Sequence, residues 1–383
     1  MQRVLRVSLA MFLSLVVILV LAEVLARVVL WYHREPVTEV EFGYSPTGYG
    51  DLLPNLNRVE RLYPIRPYLL QTNSVGLRND AEIDDDAIRI LAIGDSFTYG
   101  MYVHNHETFP ARLEERLREL GKNVQVLNAG VPGYTISDSL DYLREKGLAL
   151  EPDLVILGEY TNDVFDFYPP MREVMARSVL LQAAAQPVEI SPLERFLKEN
   201  VALYSALQRL RAQYGQAQIE AQVNRVTPTV PGLHQVYQDI TFLRPQDYPE
   251  EWAAYEQSLR EMIALLQERN IPLLIVSFPD VAQLPPESAL PDVPQQAIAR
   301  IANDTGTPYL DMLPVFREVG DVQSMYLMYY NPNAQVNPDA PDAAVMRYSG
   351  DGHPTPYAYL LTGRLLADML LRENLLPLEH ADV

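Results

Sequence analysis

With 383 residues the chain is long enough for one large or two small domains, and its 48% apolar content is that of an ordinary globular protein. A formal charge of −20 leaves no basic surface to neutralise phosphates, which argues against non-specific nucleic-acid binding. The absence of cysteine excludes disulfides, thiolate metal sites and a cysteine nucleophile.

Arg3 and Arg6 precede an uncharged run from Val7 to Ala22; Glu23 and Arg27 follow at the spacing where a helix pairs them. That run falls short of the roughly 20 residues a bilayer requires. The apolar text resumes from Val28, and Trp31 and Tyr32 supply an aromatic belt. Residues 1–34 are therefore expected to form a transmembrane anchor, with the basic start in the cytoplasm and the remainder outside. Val20-Leu21-Ala22 also fits a small-residue cleavage site, so a removed signal peptide is the alternative. Either reading exports the main domain.

Residues 35–86 read as an irregular lead-in with short strands, and Asp84-Asp85-Asp86 as a solvated turn. Regular alternation begins at Ile88, where a short apolar run to Ile93 predicts a buried strand ending at Gly94. Phe109, Leu113, Leu117 and Leu120 recur at helical spacing before Gly121. Val124–Leu127 is a second strand, Ile136–Leu143 a second helix closing at Gly147, and Leu154–Leu157 a third strand. Residues 165–250 break the rhythm and are expected to form an insertion, with a helical stretch over Leu193–Leu210. The alternation returns with a helix near Trp252–Arg269, a strand Leu273–Phe278, a helix around Gln295–Ala302 and a strand Tyr309–Met312. A last helix is predicted over Pro356–Arg372, with Thr355 as N-cap and Pro356 at its first position. Strands alternating with helices imply a parallel sheet covered on both faces. The reading is an α/β, doubly wound, flavodoxin-like parallel sheet of five strands, over 87–375, with the insertion above the carboxyl ends of the strands.

Four segments close or follow strands on one edge of that sheet, or lead into the last helix. Gly94-Asp95-Ser96-Phe97 can project a serine hydroxyl from a strand-to-helix turn. Asn128 to Gly133 offers a bare backbone N–H, and Thr161-Asn162-Asp163 a side-chain amide. Asp351-Gly352-His353-Pro354 offers a base and a carboxylate. Acyl transfer requires a nucleophile, a base, an orienting carboxylate and donors for an oxyanion, and the segments hold one candidate for each.

The four segments resemble the blocks of the SGNH (GDSL) hydrolase family: GDSFTYG (Gly94–Gly100), NAGVPGY (Asn128–Tyr134), GEYTND (Gly158–Asp163) and DGHP (Asp351–Pro354). The resemblance spans about 88–372 and implies the SGNH fold and an ester-hydrolysing serine enzyme without cofactor or metal. It makes Ser96 the nucleophile and His353 the base, with the Ser96 N–H, the Gly133 N–H and the Asn162 amide as the oxyanion hole. Many members carry the acid three residues before the histidine, where this chain has Gly350. Asp351, two before, is the nearest carboxylate and the expected third member, with Asp342 or a backbone carbonyl as alternatives. Phe97 replaces the leucine of the family name, a chemically silent change. Asn73 to Arg78 also resembles the lead-in of membrane-anchored members, with no assigned role.

The expected activity is hydrolysis of a carboxylic ester, with a small acyl group such as acetyl leaving an extracytoplasmic glycan or lipid through an acyl-enzyme. O-acyl transfer to a cell-surface polysaccharide is one alternative, and a non-catalytic binding module of the same fold is the other. Asp95 is expected to hold its turn by backbone hydrogen bonds, Gly130 to serve turn geometry, and Asp163 to act as a cap or network partner. His104, His106 and His234 are expected at the surface, and Tyr326 to Tyr330 in a packed loop.

Overall fold

The computed structural model describes residues 2–31, 52–60, 68–160, 163–164, 245–246, 248–285, 292–330 and 348–377, with 193, 197 and 201–204. The chain divides into two compact units: Met1–Glu39 with Gln186–His234, and Val40–Ala185 with Gln235–Val383. In the first unit, helix α1 (Gln2–Trp31) contains a stretch, Arg6–Val28, long and apolar enough to cross a membrane, with a mean hydropathy of 2.8. Glu23 pairs with Arg27 at 2.8 Å, as the spacing predicts, and accepts from the backbone N–H groups of Ala202 and Leu203 at 3.0 and 2.8 Å.

The second unit opens with a two-stranded antiparallel ribbon, β1 (Asn57–Glu60) and β2 (Tyr68–Gln71). Asp84, Asp85 and Asp86 form the exposed turn expected of them. The main sheet follows: β3 (Ile88–Gly94), α2 (Ser96–Tyr99), α3 (Phe109–Glu119), β4 (Val124–Asn128), α4 (Ile136–Glu145) and β5 (Leu154–Glu159). After the insertion come α5 (Pro249–Gln267), β6 (Leu273–Ser277), α6 (Val293–Thr305), β7 (Tyr309–Asp311), α7 (Leu313–Val319) and α8 (Val322–Met325). A second ribbon, β8 (Tyr326–Tyr330) with β9 (Tyr348–Pro354), precedes α9 (Pro356–Arg372). The five parallel strands lie in the order β4-β3-β5-β6-β7, the flavodoxin-like order expected from the alternation.

Both faces of the sheet are covered, so the strands read as unbroken apolar runs rather than alternating ones. Leu91, Ile93, Leu127, Val155, Leu157 and Ile275 point to one side, against α4, α5 and α6. Ile90, Ala92, Val126, Ile156, Leu274 and Val276 point to the other, against α3, α7 and α9. The α9 cap is the predicted one: the Thr355 hydroxyl accepts from the Ala358 N–H at 3.2 Å, with Pro356 at the first helical position. Most of Leu193–Leu210 lies outside the described residues.

Candidate active site

The β3 strand ends where a side chain cannot fit. Gly94 has φ +145°, and a Cβ there would stand 2.4 Å from the Gly158 carbonyl oxygen on neighbouring β5. The chain then turns directly into α2. Asp95 is fully buried and caps that turn, its Oδ1 accepting from the Phe97 N–H at 2.8 Å. Gly100 closes it in the left-handed region, its N–H donating to the Ser96 carbonyl at 3.0 Å. Ser96 is thus the first residue of a short helical turn, a position whose own N–H has no acceptor within the helix.

The second block packs on this turn from the β4 side. A Cβ on Gly130 would meet the Tyr99 N at 2.1 Å, so that glycine is required by close backbone approach and not only by turn geometry. The Val131 N–H donates to the Gly94 carbonyl at 3.0 Å, which ties the loop to the end of β3. Gly133 stands two residues further on in the same turn, exposed, with φ +83°. Asn162 lies outside the described residues.

His353 reaches Ser96 from β9. Its Nε2 is 2.8 Å from Ser96 Oγ, and its Nδ1 is in close hydrogen-bonding contact with Asp351 Oδ1. The His353 backbone N–H donates to the same Oδ1 at 3.0 Å. A strand explains the spacing: side chains two apart emerge on one face, so a D-x-H sequence in extended chain sets acid and imidazole side by side. Burial pushes the Asp351 carboxyl up, but hydrogen bonds from the His353 ring and backbone and from the Tyr102 hydroxyl, with the imidazole charge, hold it below the usual carboxylate range. Phe97 packs on the imidazole at 5.2 Å between centroids, and Tyr102 meets it edge-on at 5.4 Å.

Behind the nucleophile turn lies a buried acid pair that the sequence marks only in part. Glu159, at the end of β5, and Asp163 share a side-chain hydrogen bond across the segment containing Asn162. Asp163 Oδ2 accepts from the Tyr160 N–H at 2.7 Å, and Glu159 Oε2 accepts from the Tyr255 hydroxyl at 2.6 Å. Burial pushes both carboxyls up, Glu159 to about 7 and Asp163 well above its ordinary range, with repulsion from Asp95 adding to both. Asp163 is therefore the network partner expected. Its tie to Glu159 has a sequence signal only in hindsight, a glutamate ending an otherwise apolar strand.

Ser96, His353 and Asp351 are thus brought together, and Gly133 sits on the adjoining loop. Asp342 and His234 lie outside the described residues. His106 is exposed as expected, whereas His104 is half-buried: its Nδ1 accepts from the Leu69 N–H of β2 at 3.0 Å. The Tyr326 to Tyr330 tract is not a loop but strand β8, the partner of the strand bearing Asp351 and His353.

Residues 92–249 match the model of the GDSL-like Lipase/Acylhydrolase family, a span that includes Ser96 and the first three blocks. This chain belongs to that family. A curated relative of the GDSL-like hydrolase is an arylesterase of Vibrio mimicus, 30% identical over 82 residues, which are 21% of this chain and 41% of that protein. The chain therefore spans about two-fifths of the length of the curated relative it matches. Among solved structures, an acetylxylan esterase from Geobacillus stearothermophilus aligns at 16% identity over 74% of this chain and 93% of its own, with a TM-score of 0.38. An alpha/beta hydrolase enzyme from the metagenome of Lake Arreo aligns at 16% identity over 76% of this chain and 96% of its own, with a TM-score of 0.37.

Proposed function

We propose that this GDSL-like hydrolase is a serine esterase acting through an acyl-enzyme, with Ser96 as nucleophile, His353 as general base and acid, and Asp351 as the orienting carboxylate. The observation that carries the reading is the continuous contact from Ser96 Oγ through the imidazole to Asp351. Asp351 on Nδ1 fixes the tautomer that leaves Nε2 free to accept the Ser96 proton. The Ser96 oxygen attacks the ester carbonyl carbon as its proton passes to Nε2. The resulting oxyanion faces the N–H groups of Ser96 and Gly133 and the Asn162 amide. Collapse breaks the ester bond, and the departing alkoxide takes the proton from Nε2. Water then attacks the acyl-enzyme with His353 again as base, releasing the carboxylic acid and regenerating Ser96.

The proposed substrate is an ester of a small acyl group, such as acetyl, on an extracytoplasmic glycan or lipid. Its support is the apolar N-terminal helix preceded by Arg3 and Arg6, which favours export of everything after it. The family and its arylesterase relative support ester chemistry. The test is a chain-length series of p-nitrophenyl esters on the wild type and Ser96→Ala, with fluorophosphonate labelling. Turnover is expected to be highest for the shortest acyl groups, and Ser96→Ala is expected to lose at least about 10⁴-fold in kcat and all labelling. Unlabelled wild type, or undiminished turnover in Ser96→Ala, would end the esterase reading. A rise in acyl-enzyme turnover on adding an acceptor sugar would reassign the same machinery to O-acyl transfer.

A further inference from the structure

Five described non-glycine residues have positive φ, and four of them are Asn55, Glu151, Asn270 and Asn374. The fifth is Tyr102, at φ +64°, a buried aromatic in a conformation that costs any residue with a Cβ. Its ring stands edge-on to Tyr68 and to His353, and its hydroxyl donates to the Asp351 carboxylate. The strained residue therefore points into the proposed relay.

The cause of that conformation lies in the lead-in. Arg78 is 2% exposed, and its guanidinium donates to three carbonyls of the segment bearing Tyr102: Tyr99, Gly100 at 2.6 Å, and Val103. Its Nε donates to Asn105 Oδ1 at 3.1 Å, and the cation lies over the Tyr99 and Tyr68 rings at 4.2 and 5.3 Å. Carbonyls on both sides of Tyr102 are thus drawn onto one fixed cation. The backbone between them bends outward, and the left-handed residue is carried toward β9.

The connection answers a mechanical need. Ser96 belongs to the main sheet, whereas Asp351 and His353 ride on a separate ribbon. The printed contacts of His353 with Asp351 are internal to β9 and leave the ribbon's distance to Ser96 unspecified. Tyr102 follows Ser96 by six residues in the chain, so its hydroxyl ties Asp351 to the nucleophile's own turn. We infer that Tyr102 is a positioning residue of the relay, holding the Asp351 carboxylate from the Ser96 turn, and that Arg78 holds the loop in the shape that presents it.

This inference rests on the esterase reading, and the test keeps the two apart. Full-length wild type, Tyr102→Phe, Asp351→Asn and the double variant are compared for p-nitrophenyl acetate turnover and for the rate of fluorophosphonate labelling. Tyr102→Phe keeps the ring and removes only the donor. Its kcat and labelling rate are expected to fall about tenfold, the size of one hydrogen bond to a charged group, with KM within about twofold. In the Asp351→Asn background the same substitution is expected to change the rate less than about twofold, because its route of action is already cut. Wild-type rates in Tyr102→Phe, or an equal loss in both backgrounds, would overturn the inference while leaving Ser96 labelled. A Tyr102→Phe protein whose melting temperature falls by tens of degrees would also overturn it, by assigning Tyr102 to the core. Failure of wild type to label would instead remove the esterase reading itself.

Discussion

Asp351 is the residue on which sequence and structure exchange the most. The family's usual spacing would place the acid at position 350, where this chain has glycine, so the text leaves Asp342 and a backbone carbonyl as alternatives. A strand resolves the ambiguity by period: residues 351 and 353 share a face, and an extended backbone would turn residue 350 to the other. Asp351→Asn is expected to lower kcat about 10³- to 10⁴-fold, the scale seen when an orienting carboxylate is neutralised. Asp342→Asn is expected to leave it within about twofold. Equal losses in both, measured with p-nitrophenyl acetate, would displace Asp351 from its assigned role. The cradle glycines are less legible. A turn explains Gly130 well enough in the sequence, and only the 2.1 Å approach to the Tyr99 N shows that no other residue fits there.

At the level of elements, legibility follows periodicity. The α9 helix has its predicted limits because a cap, a first-turn proline and an apolar stripe all agree on where it begins and how it runs. The five core strands were readable because burial on both faces leaves short unbroken apolar runs between helices. The β8–β9 ribbon was not, since glycines at 350 and 352 and a run of tyrosines imitate a loop. The Glu159–Asp163 pair belongs to this scale too, because it clamps the two ends of the segment carrying Asn162 to each other. Glu159 binds its proton more tightly folded than unfolded, so the folded state holds more protons between the ordinary value of 4.5 and about 7. Stability from this group therefore declines as pH rises through that window, and the full penalty stands above it. Glu159→Gln does not titrate, and its amide can still accept from Tyr255 and donate to Asp163. The melting temperature of the variant relative to wild type is expected to climb from about pH 5 to about pH 8. Parallel melting curves over that range would show that Glu159 does not titrate there.

For the whole molecule, the composition speaks mainly through its charge and its first helix. A chain with a formal charge of −20 repels itself more as its last carboxyls ionise, a background common to wild type and Glu159→Gln that cancels in their comparison. The apolar stretch Arg6–Val28 leads to an expectation at the level of the cell. Full-length protein is expected to sediment with membranes and to resist alkaline carbonate extraction, with its main domain cleaved by protease added outside intact cells or spheroplasts. Recovery in the soluble fraction would favour a removed signal segment, and protection from external protease would reverse the proposed orientation.

The division of labour between sheet and ribbon has one further effect. Since the acid and base sit on the same short strand, a shift of the β8–β9 ribbon would carry both away from Ser96 without parting them. Such a shift would disarm the serine in one step while every strand of the central sheet kept its partners. Inactivation by heat or denaturant should then precede the loss of helical signal, leaving an intact fold with a nucleophile that has lost its base.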